Sequence, residues 1–522
     1  MESKITFNSN AINNDVSSEQ KFYLNYALII AVILGIVSQI LSYYFDYNFA
    51  YRDSIYRLEA ARRFFDAYNP GLINQIGTVW LPVPNLLLMP LAYVDFLWQT
   101  GLAAAIMNFP LFVVSAVVVF LSVKKLTGNV IATWFGFLVY VLNYNILYFQ
   151  TTSMTEQLYL TLTVCSFYFL LLWADGKKLK HLLWSSFFIS LGVGSRYDAW
   201  PVAIVSIMIV FIISVLDKDK PIKNSFIYGF VPVLLIIVWF WYNWLFYGDA
   251  LEFSRGRFST LYQLQYYEAA GRLLTKNNFI LSAKVYISSV LLYSGNLYAV
   301  LSVIALIVYA LRNKMNTKSI PAYVLWVALP VSLILMFKGQ VIIELPNSEP
   351  PGYFNSRYGL YMFPAIAIFS GIFALYIQKY IKKKILICLL AIGLLAQQLT
   401  FLYNFPYSIP SLAEAKYSYS KASEDLSLFL KENYKGGNIL YDNVVFAIHP
   451  WTGINLKDRI TFHTFEIGEK AMKEPSKYVN WVMFYKEAPN DHIHAAVKNN
   501  PDFIDNFILR FSTNGIEKKK KK

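Results

Sequence analysis

The chain has 522 residues, of which 56% are hydrophobic and only 15% are charged. Soluble proteins carry about 25% charged residues, so the composition excludes an ordinary soluble globule and favours a polytopic membrane protein. The net charge of +14 does not indicate nucleic-acid binding, because the lysines concentrate between apolar runs and in a terminal run at 518–522. Cys165 and Cys388 both lie in apolar runs, so neither a disulfide framework nor a thiolate metal cluster is expected.

Apolar runs of bilayer length predict a multi-pass protein of the cell membrane. We expect eleven spans at 25–45, 99–123, 129–147, 157–174, 182–196, 199–216, 225–246, 285–311, 320–338, 358–378 and 385–403. Every second gap is short and basic, which is typical of cytoplasmic loops. These gaps contain Lys124, Lys125, Lys177, Lys178, Lys180, Lys218, Lys220, Lys223, Arg312, Lys314, Lys318, Lys379, Lys382, Lys383 and Lys384. The N-terminal segment 1–24 is therefore predicted to be cytoplasmic.

The remaining gaps are predicted to face the outside, and three of them are long. Loops 46–98, 247–284 and 339–357 carry acidic, basic and aromatic residues together. Segment 79–97 is also apolar, but three prolines and an aspartate interrupt it, and counting it as a span would move the basic gaps outside. We therefore expect 79–97 to be a lateral or re-entrant segment of the outer face.

Hydropathy falls after about residue 404, and the pattern changes to that of a small α/β domain. A helical stretch is predicted around 411–434, and strands are predicted at 438–442 and 478–484. With eleven spans before it, this domain, at 404–517, is predicted to be extracytoplasmic, followed by a lysine tail at 518–522.

The first outer loop contains Asp53 at the membrane boundary, followed by alternating apolar and charged residues. This alternation predicts an amphipathic helix at 54–66 that lies on the membrane surface, with its arginines reaching lipid phosphates. Asp53 could then serve only as the N-cap of that helix. A carboxylate at this boundary equally suits catalysis, so both interpretations stay open.

The second outer loop places Glu156 close to the hydrocarbon, where a carboxylate is costly without a function. Ser153 or Thr155 could instead cap the next helix, with Glu156 complementing its dipole. Other charged and aromatic residues gather at outer ends of spans: Arg196, Tyr197, Asp198, Asp249, Arg255, Arg257, Arg357 and Tyr358. Charged residues are nearly absent from span interiors, whereas ion-coupled transporters usually need them near the midplane.

Six short motifs occur in order on the predicted outer face. They are Asp53-Ser-Ile-Tyr56-Arg57, Gly77-Thr-Val-Trp80, Ser153-Met-Thr155-Glu156, Ser195-Arg196-Tyr197-Asp198-Ala-Trp200, Phe246-Tyr-Gly248-Asp249 and Arg357-Tyr358-Gly359. Together they resemble the GT-C superfamily of membrane glycosyltransferases, and more closely its prokaryotic family 39-like branch. The resemblance covers roughly residues 25–403. The adjacent acid pair of the protein O-mannosyltransferases is absent, since Asp53 lies between Arg52 and Ser54.

The resemblance implies an all-α membrane module that uses a polyprenyl-phosphate sugar donor and a glycan, lipid or protein acceptor among membrane lipids. It implies that Asp53 is the catalytic base and Glu156 a second acid. A phosphate clamp is expected from arginines, because the planar fork binds phosphate well. The clamp candidates are Arg357, Arg255, Arg257 and Arg196. The substrate-binding candidates are Tyr56, Arg57, Trp80, Tyr197, Asp198, Asp249 and Tyr358. A divalent metal is possible and left open.

Two other classes of protein remain as alternatives. A transporter or flippase of lipid-linked glycans would move the same substrate without forming a bond. A scaffold would use the outer domain to bind a partner and the membrane part only as an anchor, for which eleven spans are excessive. Arg357 also has a simpler interpretation, as an interface residue that snorkels and anchors the topology.

Overall fold

The computed structural model describes residues 18–521, apart from 257–258, 315, 350, 404, 406–407, 444, 463, 487–490 and 514–515. Most of the chain up to residue 402 is helical. In chain order the helices are α1 (Ser18–Tyr44), α2 (Arg52–Arg62), α3 (Leu72–Gln75), α4 (Pro82–Ala92), α5 (Asp95–Thr100), α6 (Leu102–Thr127), α7 (Val130–Val141), α8 (Tyr144–Phe149), α9 (Glu156–Gly176), α10 (Leu179–Val193), α11 (Ala199–Leu216), α12 (Pro221–Tyr247), α13 (Glu252–Arg255), α14 (Thr260–Ala269), α15 (Phe279–Ser294), α16 (Asn296–Asn313), α17 (Ala328–Phe337), α18 (Phe363–Ile377) and α19 (Lys383–Leu402). 3₁₀ turns at Tyr47–Phe49, Ile320–Trp326 and Ser356–Met362 precede α2, α17 and α18.

Nine segments of the described chain are long and apolar enough to cross a membrane. They confirm the predicted membrane protein but differ from the predicted spans in three places. The predicted spans 129–147 and 182–196 fall on the shorter apolar helices α7 and α10. The predicted continuous span 285–311 is wrong, because Gly295, with a φ of 84°, separates α15 from α16. Such a positive φ favours glycine and cannot continue a helix.

The basic loops gather at one end of the bundle. Lys125 and Lys318 both pair with Asp175, at 2.6 and 2.9 Å, and Lys177 pairs with Asp217 at 2.5 Å. Asp175 lies near the last residue of α9, whereas Glu156 is the first. The lysine pairs and Glu156 therefore lie at opposite ends of the bundle, about 30 Å apart at the rise of a helix.

A second unit follows the last long helix and contains a five-stranded sheet. Its elements are α20 (Pro410–Ser418), α21 (Lys421–Asn433), β1 (Ile439–Tyr441), β2 (Arg459–Thr461), α22 (Phe465–Lys473), α23 (Pro475–Tyr478), β3 (Trp481–Tyr485), α24 (His492–Val497), α25 (Pro501–Asn506), β4 (Phe507–Thr513) and β5 (Ile516–Lys521). The strand order is β2-β1-β3-β5-β4, in which β1 is parallel to both neighbours and β5 is antiparallel to both of its own. The predicted fold class, a helical membrane module with a small C-terminal α/β domain, is confirmed.

The sheet has a buried core on each face, as the alternation of side chains along a strand requires. Ile439 and Trp481 pack on one face with Leu426 of α21, while Leu440 and Val482 pack on the other with α22 and α24. The structure differs from the prediction of a separate lysine tail at 518–522, because the backbone of this run through Lys521 belongs to β5. Strand pairing uses backbone groups, and a run of lysines does not prevent it.

The C-terminal domain docks on α2 through buried polar contacts. Arg459 pairs with Glu59 at 2.6 Å, with side chains 2% and 10% exposed. The Asp66 carboxylate accepts the backbone N–H groups of Leu456 and Lys457, both at 3.1 Å. The membrane-surface helix expected at 54–66 is therefore wrong: α2 is held between α4 and the C-terminal domain, and its Arg62 is buried and pairs with Asp66 and Asp95.

Candidate active site

Helix α2 presents Asp53 and Arg57 on one face, since residues four apart are neighbours on a helix. The helix begins at Arg52 with Tyr51 as N-cap, so Asp53 is in the first turn and is not the cap. The helix-cap interpretation of Asp53 is therefore wrong. Its side chain is 41% exposed and one of its oxygens, Oδ2, binds Arg357 at 3.2 Å.

Arg357 lies between three carboxylates that come from different helices. Its Nη2 binds Asp53 of α2, its Nε binds Glu156 Oε1 of α9 at 3.1 Å, and its Nη1 binds Glu414 Oε1 of α20 at 2.7 Å. The Arg357 side chain is only 11% exposed. The interpretation of Arg357 as a snorkelling interface anchor is therefore wrong, because the guanidinium is directed into the protein.

Glu156 is the most deeply buried carboxylate of this cluster, with a side chain that is 0% exposed. Its Oε1 accepts from both Arg357 and Arg196, each at 3.1 Å. Its Oε2 is also buried and has no hydrogen-bond partner. Thr155 does not cap α9 through its side chain, and its hydroxyl instead accepts from Arg196 at 2.8 Å. An unpaired buried carboxylate oxygen is costly, so Oε2 is available to a donor from a substrate.

Arg196 extends the cluster through a second carboxylate. Its Nε donates to Asp198 Oδ2 at 2.9 Å, and its guanidinium lies 5.9 Å from the Tyr358 ring. Tyr358 is also 5.8 Å from Arg357, so one aromatic ring contacts both arginines. This arrangement fixes both guanidinium planes through hydrogen bonds and ring contacts.

Arg57 is different from the other two arginines. Its guanidinium stacks over Trp80 at 4.2 Å, and its Nε is buried without a hydrogen-bond partner. No ion pair links Arg57 to a carboxylate of the described residues. Burial lowers the pKa of Arg57 to about 10, and the charge of Glu156 opposes that shift. Arg57 is therefore charged at neutral pH with its hydrogen-bonding fork available.

Sequence reasoning missed Glu414, which lies beyond the boundary predicted for the membrane module. Its carboxylate also accepts from Ser356 Oγ at 2.6 Å and from the Tyr51 hydroxyl. Tyr51 in turn accepts from Arg357, and Tyr293 reaches Glu414 at 3.4 Å. The available signal was a lone acid among the small and apolar residues of Pro410-Ser-Leu-Ala-Glu414-Ala, directly after the last span.

The remaining predicted residues form no described hydrogen bond to the cluster. The Tyr197 hydroxyl donates to the Val79 carbonyl at 2.8 Å and not to a residue of the cluster. The Tyr56 hydroxyl donates to the Asn443 carbonyl at 2.5 Å and so faces the C-terminal domain. Arg255 and Asp249 form a separate pair at 2.6 Å, with Arg255 62% exposed and neither residue hydrogen-bonded to the cluster. Arg257 lies outside the described residues.

Comparisons with known proteins identify the fold. No family model matches the chain, and no curated protein matches it in sequence. Among solved structures, the oligosaccharyltransferase of Archaeoglobus fulgidus in complex with Zn and sulfate aligns over 95% of this chain and 73% of its own, with a TM-score of 0.53 and 12% identity. The chain has this fold. The archaeal oligosaccharyltransferase AglB of the same organism, in complex with an inhibitory peptide and a dolichol-phosphate, aligns over 97% and 75%, with a TM-score of 0.51 and 11% identity.

The first of these two solved structures contains zinc, which raises the question whether the site of this chain fits a metal ion. Within the described chain, no three histidine, cysteine or acidic side chains are placed to share one ion. Asp53, Glu156 and Glu414 instead each direct an oxygen at a different nitrogen of Arg357. The residues present therefore do not fit a metal centre in this arrangement.

Proposed function

We propose that the protein is a membrane glycosyltransferase that moves a sugar from a polyprenyl-phosphate donor to an acceptor hydroxyl on the extracytoplasmic face. The observation that carries this proposal is an exposed carboxylate, Asp53, on the same helix face as Arg57, an arginine that forms no ion pair within the described part of the chain. The shared fold adds support, because one protein of that fold was solved with a dolichol-phosphate. Both residues lie at the end of the bundle opposite the lysine pairs.

Asp53 is the best placed base among the four carboxylates. Its side chain is 41% exposed, whereas those of Asp198, Glu414 and Glu156 are 25%, 2% and 0% exposed. Because Arg357 holds Oδ2 of Asp53, the other oxygen can accept a proton. A base of this kind contributes about 10²- to 10⁴-fold to a rate.

The phosphate of the donor needs a cation that is free to bind it. Of the four expected clamp residues, Arg357 and Arg196 are both paired with carboxylates, and Arg255 is paired with Asp249 away from the cluster. Arg57 keeps its fork available, and Trp80 supports the guanidinium from one face. We therefore assign the phosphate contact to Arg57, since a bidentate arginine suits a phosphate leaving group.

The proposed reaction is a displacement at the anomeric carbon. The acceptor oxygen forms a bond to that carbon while the bond from the carbon to the phosphate oxygen breaks. The acceptor proton goes to Asp53, and the phosphate leaves on the polyprenyl chain with its charge against Arg57. Glu156 Oε2 accepts a hydroxyl of the bound sugar, which orients the ring for attack.

The test is transfer by the full chain in proteoliposomes with a radiolabelled short-chain polyprenyl-phosphate sugar. Glycan, lipid and peptide acceptors are offered separately, and products are identified by mass spectrometry. We expect a labelled acceptor and free polyprenyl phosphate, and loss of both with Asp53→Asn. Glu268→Gln, which alters an exposed ion pair with Lys276, is the matched control. Movement of the intact donor across the bilayer without a new bond would instead identify a flippase.

A further inference from the structure

The position of Arg357 among three carboxylates is an unusual use of a single cation. The three acids come from α2, α9 and α20, and each contacts a different nitrogen, at 3.2, 3.1 and 2.7 Å. Three carboxylates that converge from separate elements are the arrangement with which proteins usually hold a divalent cation. Here the centre of that arrangement is a guanidinium.

The distances and the directions of the groups fit an arginine and not an ion. Oxygen ligands approach Mg²⁺ or Ca²⁺ at about 2.0–2.6 Å and point at a single centre. The three acids of this site point at separate corners of a planar fork instead. The fork is also filled on its remaining side, because Nη1 donates to the Tyr51 hydroxyl as well as to Glu414. An ion would have to displace a buried arginine and leave its charge uncompensated, which is costly.

We propose that Arg357 is the resident cation of the site and that sugar transfer by this protein does not depend on a divalent metal. This inference rests on the proposed transferase function. Arg357 does not itself bind the leaving phosphate. It neutralises the buried acids Glu156 and Glu414 and fixes one oxygen of Asp53, so that the other oxygen faces the acceptor. Arg57 supplies the charge that the leaving phosphate needs.

The first experiment measures metal dependence in the unmodified protein. The full chain is treated with EDTA and its metal content is checked by mass spectrometry of the elements. Transfer should stay within twofold of the untreated value, and addition of Mn²⁺ or Mg²⁺ should not raise it further. Titration with Mn²⁺, followed by electron paramagnetic resonance, should show no stoichiometric site at micromolar concentration. Loss of transfer on chelation with recovery on Mn²⁺, or one tightly bound Mn²⁺ per chain, would overturn the inference.

The second experiment removes the cation and supplies a replacement. Arg357→Ala should lower transfer at least 100-fold, and added guanidinium should restore it at least tenfold, because guanidinium can occupy the same corners. Ethylammonium and Mn²⁺ should not restore it. Recovery with Mn²⁺ alone would show that the acids hold a metal and would sink the inference. Melting temperature is followed in parallel, and the Mn²⁺ titration of the unmodified chain decides the question where the variant does not fold.

The two proposals fail in different ways. A chain that transfers sugar only with a bound metal keeps its function and loses the resident-cation assignment. A chain that moves the donor without forming a bond loses the transferase function. Its Mn²⁺ titration still reports whether Arg357 excludes an ion, since that measurement does not require turnover.

Discussion

The two ends of the helix bundle both contain ion pairs, but the pairs differ in cation and in burial. At one end lysines meet aspartates, as in Lys177 with Asp217, whose side chains are 27% and 29% exposed. At the other end Arg357 and Arg196 share Glu156, and the three side chains are 11%, 11% and 0% exposed. A lysine offers one compact charge, whereas an arginine offers a rigid fork that can fix several oxygens at defined angles.

This difference indicates which end carries function. Part-exposed pairs contribute little to stability, typically about 0–1 kcal/mol, and they tolerate changes of geometry. A buried network of arginines and acids is expensive unless every group has a partner. Of the charged side chains Asp53, Arg57, Glu156, Arg196, Arg357 and Glu414, two have a buried atom without a hydrogen-bond partner in the described structure, Arg57 Nε and Glu156 Oε2. Those two are the groups that a substrate could complete, and substitutions at the two ends should therefore have unequal effects.

The largest effect is expected from Asp53→Asn. The variant keeps the shape of the side chain but loses the proton acceptor, so the single-turnover rate should fall about 100-fold or more. Melting temperature should change little, because Asp53 is the most exposed acid of the cluster. The control is Asp175→Asn at the lysine end, which should keep its rate within twofold. A wild-type rate in a folded Asp53→Asn variant would remove Asp53 as the base and make Glu156 the first choice.

The second-largest effect is expected from Arg357→Lys, which is compared with the same type of substitution at the lysine end of the bundle. Arg357→Lys keeps the charge but cannot reach three carboxylates, and partial loss of a buried charge contact of about 2 kcal/mol corresponds to about 30-fold in rate. Arg312→Lys, at the lysine end, where Arg312 stacks over Tyr376 at 4.7 Å, should be within twofold of wild type. Single-turnover transfer is measured for both at matched folding. Equal rates for the two variants would show that the fork of Arg357 has no role.

A smaller effect is expected from Arg57→Lys. Lysine keeps one charged hydrogen bond to the phosphate and loses the second. Such a bond is worth about 1.5 kcal/mol at the lower end of its usual range, so kcat/KM for the donor should fall about tenfold. The loss should appear mainly in KM if the phosphate contact is already made with bound donor. Steady-state kinetics over a donor series measures it, and Lys276→Arg at an exposed pair is the control. An unchanged donor dependence would return the clamp assignment to Arg196 or Arg357.

Much of the cluster was predictable from the sequence because its members lie at outer ends of apolar runs. Asp53, Glu156, Arg196, Asp198 and Arg357 are charged residues at membrane boundaries, where an unpaired charge is costly, and the structure brings all five together. Boundary position predicts that such residues meet. It does not predict which of them pair, and so the free arginine, Arg57, was expected only as a general substrate contact.

The remaining errors have local causes that hydropathy does not record. Glu414 was missed because falling hydropathy suggested a soluble domain, although α20 packs back onto the cluster and its partner Arg357 is 57 residues away in sequence. The break at Gly295 depends on one backbone angle inside an apolar run. The burial of α2 depends on Arg459, which comes from a strand 400 residues later than Glu59. Contacts at such separations follow from the fold and not from any local pattern.

The smallest effect on transfer is expected from three cysteine substitutions. Labelling of these cysteines assigns the two ends of the bundle to sides of the membrane. The basic gaps predict that Lys178 and Lys382 are cytoplasmic. In a chain with Cys165→Ala and Cys388→Ser, Lys178→Cys and Lys382→Cys should be protected from an impermeant thiol reagent in intact cells, while Lys473→Cys in the C-terminal domain should react. All three positions are exposed and outside the cluster, so transfer should stay within twofold. Permeabilised cells provide the control, because every cysteine should then react. Labelling of Lys178→Cys and Lys382→Cys in intact cells would reverse the orientation and place Asp53 and Arg57 on the cytoplasmic side, where an extracytoplasmic acceptor could not reach them.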